Sequence, residues 1–196
     1  LADRRADILA NHGLHLAGTD FDRAVNLAKI MPVLGLNGDG PGGRPVPSKV
    51  YFELATWHLI NTTYVPNRLI ELRMMRNMYN DQRAHERLMR VLTQHRGHDL
   101  AARAEAAKIA VSESGKSLIE LGFIEPGLEL PFVEREQQLA LQEDVHRIVN
   151  TARETVRRAQ INADEIDALY FTGGSTGLDF LAARLAEAFP AAQTVR

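Results

Sequence analysis

The apolar positions change period several times along the chain, and each change marks an element. Residues 5–18, RADILANHGLHLAG, read as a strand, a turn at Asn11-His12-Gly13 and a second short strand. A helical period follows. Phe21, Val25, Ala28 and Met31 share one face, Thr19 or Asp20 serves as N-cap, and Asp22 lies in the first turn, where unpaired N–H groups favour a carboxylate. Gly35 to Ser48 is rich in glycine and proline and predicts a loop at a boundary. From Lys49 to about Ser114 the pattern is helical, with Pro66 at the first turn of a new helix. SLIELGFI and LELPFV predict a hairpin about Glu125-Pro126-Gly127. A long helix follows over 134–160, its apolar face made of Leu139, Val145, Ile148, Val149 and Val156. ALYFT reads as a strand, GGSTG as a turn, Leu178 to Phe189 as the last helix, and a short strand precedes Arg196.

This order predicts an α/β fold interrupted by a smaller lobe. Residues 1–48 and 134–196 form the α/β subdomain, and 49–133 an inserted, mostly helical subdomain with a small hairpin. At 196 residues and 45% hydrophobic, the chain is long and apolar enough to bury a core. A net charge of −2 supplies no field for nucleic acid or a membrane surface. The absence of cysteine excludes disulfides and thiolate metal sites and fits a cytoplasmic protein. No apolar stretch reaches the length of a membrane span. The start at Leu1 reads as a piece of a longer protein.

The chemistry concentrates in two places. On the helix over 98–114, Glu105, Lys108 and Ser112 share one face. Glu105 and Lys108 are spaced for a surface ion pair. A carboxylate, an ammonium and a hydroxyl in a row also suit a ribose and a purine edge. In YFTGGSTG at 170–177, Gly173, Gly174 and Ser175 end a strand just before a helix. Glycines there serve tight packing, or let backbone N–H groups approach an anion. The segment matches neither a Walker A loop nor GxGxxG. Asp20 and Asp22 read as a helix start and not as metal ligands. NGDGPGG at 37–43 lacks the carboxylates of a calcium loop. The histidines form no HExxH motif and no triad, and His58 reads as a packed helix residue.

Three segments in order resemble the nucleotide-binding domain of the heat-shock protein 70 family. HLAGTDFDRAV at 15–25 resembles its L-G-G-x-D-F-D segment, AEAAKIAVSES at 104–114 its E-x-x-K-x-x-L-S helix, and DEIDALYFTGGSTGLDFLAARLAEAF at 164–189 its I-D-x-V-x-L-V-G-G-S-T-R-I-P segment. ELPFV at 129–133 sits where the family has a hairpin strand, and ATWHLIN and MPVLGL are similar to the divergent YegD-like branch. The resemblance implies the second lobe of an actin-like ATPase fold, part of a chaperone ATPase whose full form binds ATP or ADP with Mg²⁺. It implies nucleotide-binding roles for Glu105, Lys108, Ser112, Gly173, Gly174, Ser175 and Gly18, with neither catalytic residues nor metal ligands in this chain. The partners it implies are the first lobe of the same domain and client polypeptides or co-chaperones. Two positions depart from the pattern: Gly177 stands where the family has an arginine able to stack on adenine, and Ala17 replaces a glycine. The phosphate loops are not in this sequence, so the chain alone is expected not to hydrolyse ATP. The alternatives are a lobe of another actin-like ATPase or kinase, or a binding module without catalysis.

Overall fold

The computed structural model describes residues 7–173 and 178–195. It divides into two compact units, residues 19–140 and residues 1–18 with 141–196. The described residues are mostly helical, with two small two-stranded sheets.

In the first unit, α1 (Gly18–Val25) buries Phe21 and Val25 and runs into a π turn at Asn26–Ile30 and a 3-10 turn at Met31–Leu34. Phe21, Val25, Ile30 and Leu34 are buried at spacings of four, five and four, and Met31 is buried as expected. The wider π turn, with its i→i+5 bonding, lets Val25 and Ile30 meet the same core. Ala28 is exposed as a result, and Ile30 takes the place expected for it. Gly35 stops this run with φ +114°, its N–H donating to the carbonyls of Met31 and Pro32. Backbone of that sign favours glycine.

Helix α2 (Lys49–Ala55) supplies Tyr51, fully buried beneath that stop. A 3-10 segment over Trp57–Tyr64 leads to α3 (Pro66–Met74), with Pro66 in its first turn as expected. Helix α4 (Gln82–Thr93) is capped by Asp81, whose carboxylate accepts from the N–H groups of Arg83 and Ala84. Helix α5 (Gly97–Ser114) ends at Gly115 with φ +76°. Strands β1 (Lys116–Glu120) and β2 (Glu129–Val133) form the expected antiparallel hairpin, with Ile119 and Phe132 facing the core. The connection is longer than the sequence suggests. Residues 121–128 form a loop that buries Leu121 and Ile124. Glu125 in this loop accepts hydrogen bonds from Arg83 and Arg87. The π turn packs against α2, α5 and β2, so residues 19–48, expected in the α/β subdomain, lie in the helical unit.

Helix α6 (Glu134–Arg158) buries Gln137, Leu141, Val145 and Val149, a stripe at every fourth residue. Leu139, expected on this face, is 64% exposed because two residues turn a helix more than half-way round.

In the second unit, β3 (Ala168–Tyr170) pairs in parallel with β4 (Gln193–Val195), and α7 (Asp179–Ala188) connects them. Leu178, Leu181, Ala182, Leu185 and Phe189 are buried in this crossover. Asn162 and Glu165 form a reciprocal capping box ahead of β3. Residues 7–17, expected to contribute strands, carry none, and Ile8 and Leu9 are exposed. Extended chain without a ladder partner has no reason to hold strand geometry. No helix among the described residues is long and apolar enough to cross a membrane.

Candidate functional site

Helix α5 places Glu105, Lys108 and Ser112 on one face of the helical unit, but it does not pair the first two. The Lys108 ammonium lies 2.7 Å from Asp22 Oδ1 on α1, with side-chain exposures of 12% and 15%. Burial raises the Asp22 carboxyl above its ordinary range, the Lys108 hydrogen bond and charge pull it back, and the Glu105 charge adds to the rise. Glu105 itself stays exposed, and its carboxylate makes no hydrogen bond or ion pair with a described residue. Lys108 prefers Asp22 because a largely buried ammonium gains more from a largely buried carboxylate than from one free to leave for water.

Ser112 is tied down as well. Its hydroxyl donates to the Lys108 carbonyl at 2.9 Å and accepts from Gln137 Nε2 at 3.0 Å. With its one proton committed to the helix, it retains only acceptor capacity toward a ligand. The face therefore presents a fixed ammonium, an accepting hydroxyl and a free carboxylate.

Gly18 opens α1, and Gly173 follows β3 with φ +94°. No described atom lies within 4 Å of a Cβ built at Gly173, and backbone with φ of that sign favours glycine. Gly174 and Ser175 lie outside the described residues. Glu105, Lys108 and Ser112 belong to the helical unit, and Gly18 and Gly173 to the other.

A pocket of about 320 Å³ opens beside this face, where α1 and its π turn meet the end of α2 and the start of α5. Asp22, Arg23, Asn26, Trp57, His98 and Glu105 are among its lining residues. Arg23 Nε donates to Thr56 Oγ1 at 3.0 Å, and its guanidinium sits 5.9 Å from the centre of the Phe52 ring. Trp57 and His98 meet edge to face, with centroids 4.6 Å apart. Asn26 is 1% exposed, and neither atom of its amide has a hydrogen-bond partner among the described residues. His98 Nδ1 is likewise buried and unpartnered, while Nε2 lies 3.3 Å from Asn61 Oδ1. Asn26, Trp57 and His98 escape the sequence reading. The signal for Asn26 is weak but present, since it is an amide directly after Val25 in a run that is otherwise core.

Among the described residues no group of three or more His, Asp or Glu side chains is arranged to hold a metal ion. No protein-family model matches the chain.

Proposed function

We propose that residues 19–140 supply the adenosine-binding face of a heat-shock-70-like ATPase domain of actin-like fold, with α5 as the binding helix. The observation that carries this reading is the Lys108–Asp22 pair at 2.7 Å, flanked on the same helix face by an unpaired Glu105 and an anchored Ser112. A pre-set ammonium keeps donors for ribose oxygens, a free carboxylate accepts from ribose hydroxyls, and a fixed serine oxygen accepts from a purine amino group. ATP binding and hydrolysis, with Mg²⁺, would belong to the full domain, and so would any coupling to client polypeptides or co-chaperones.

The test is an ADP titration followed by backbone amide shifts. Shifts clustered at 105–112 that vanish in both Lys108→Ala and Ser112→Ala support the reading. Millimolar ADP without shifts there, in the full-length protein, overturns it.

A further inference from the structure

The pocket beside the π turn contains a polar group that the fold leaves unused. Asn26 sits between the core residues Val25 and Ile30, yet its amide donor and acceptor are both buried without a partner among the described residues. Stability alone would select an apolar side chain here, because an unpaired buried amide forfeits its water and gains nothing. Native proteins rarely leave such groups unmet. The surrounding backbone is a π turn, a local irregularity that concentrates at functional sites. His98 Nδ1 is a second buried and unpartnered nitrogen lining the same pocket. Trp57, 61% exposed, adds a flat aromatic surface, and Ala101 and Ala102 leave room beside it.

These features specify a ligand. A carboxamide's donor and acceptor lie side by side, so its complement is an edge with an acceptor beside a donor. Nucleobases carry such edges, and asparagine reads adenine in this bidentate way. An indole and small methyl groups suit a planar ring. The carboxylates of Asp22 and Glu105 repel phosphate but accept from sugar hydroxyls. A volume of about 320 Å³ lies at the small end of ligand pockets.

We propose that this pocket is a binding site for an uncharged nucleobase or nucleoside, held by its base edge on Asn26 and its ring face near Trp57. The pocket shares Asp22 and Glu105 with the nucleotide reading, on which its sugar contacts rest, but its base contact is Asn26, which that reading does not use.

Trp57 is the sole tryptophan, so its fluorescence reports directly on the pocket. The experiment titrates the chain with adenosine, guanosine, cytidine and nicotinamide. At least one should change Trp57 emission with saturation at or below millimolar concentration. Asn26→Leu should weaken that ligand at least tenfold while leaving the melting temperature equal or higher. Asn26→Asp, which keeps the shape but loses the donor, should weaken it comparably. Ser112, which does not line the pocket, separates the two readings: Ser112→Ala should leave the fluorescence titration within twofold even where it abolishes the ADP-induced shifts, so the Asn26 contact and the Ser112 contact fail independently. The proposal is overturned if none of the four compounds alters the emission. It is equally overturned if Asn26→Leu binds within twofold of the parent, or if that variant melts several degrees lower, since Asn26 would then be a structural residue.

Discussion

The Lys108 ammonium is bound to Asp22 and not to Glu105, its neighbour one helical turn away. The pair links α1 to α5 through two side chains that are mostly withdrawn from water. Such a pair lies between exposed bridges, worth about 0–1 kcal/mol, and buried ones, whose disruption costs about 3–5 kcal/mol. Lys108→Met is therefore expected to destabilise the chain by about 2 kcal/mol, read from denaturant unfolding. The effect should grow with pH. Burial already raises the Asp22 carboxyl above its ordinary 3.8. An acid raised in the fold favours its protonated form there, so its contribution to stability is full below 3.8 and falls as pH climbs through the raised value. Removing the ammonium raises the carboxyl further, and a constant Lys108→Met deficit from acid to neutral pH would contradict this account.

Glu125 responds to pH in the opposite sense. Hydrogen bonds from Arg87 and then Arg83 hold its carboxyl down at about 2, against an ordinary 4.5. A depressed acid stabilises the fold above its unfolded value, and this contribution fades as pH falls from 4.5 toward about 2. Melting temperatures across that window should fall less steeply for Glu125→Gln than for the parent. Parallel curves would mean that the arginines do not hold the 121–128 loop through this carboxylate.

Gly35 admits no side chain. Its φ is +114°, and a Cβ there would lie 2.6 Å from Tyr51 Oη and 2.7 Å from Tyr79 Cε1. The two phenols form a buried relay, 2.8 Å apart, that ends with Tyr51 donating to the Leu34 carbonyl at 3.0 Å. Gly35→Ala should cost about 2–4 kcal/mol from strain and overpacking together. Tyr51→Phe, which leaves the carbonyl and the Tyr79 hydroxyl short of a partner, should cost about 1–3 kcal/mol. Thermal unfolding of both variants checks the order.

Asp81 is the simplest of the local devices. Its carboxylate accepts from two N–H groups at the start of α4, and Asp81→Ala should cost about 1 kcal/mol, while Asp81→Ser recovers most of it. Equal losses in both variants would mean that the side chain acts by charge and not as a cap.

What the sequence reveals here is what neighbouring residues decide. Pro66 at a helix start, the hairpin before α6 and the β3–α7–β4 crossover follow from local rules of backbone and period. The misplacements have partners far away. Leu139 and Leu141 sit in one apolar run, and which of them is buried depends on what α6 packs against. Residues 7–17 have strand-like composition but no ladder. Lys108 has Glu105 nearby in sequence and Asp22 nearby in space, and only the packing of α1 on α5 chooses between them. The pocket is hidden for a related reason: Asn26 looks like an interruption of a core helix until its amide is found without a partner.

The π turn at Asn26–Ile30 contains one residue more than the core needs. An unbroken α-helix would carry Phe21, Val25 and their successors at spacings of three and four, and the buried face would survive with one fewer residue. The surplus residue acts as a spacer, letting the helix address two clients at once: the interior receives Val25 and Ile30, and the pocket receives Asn26. Packing and recognition thus fall on adjacent residues of the same short segment.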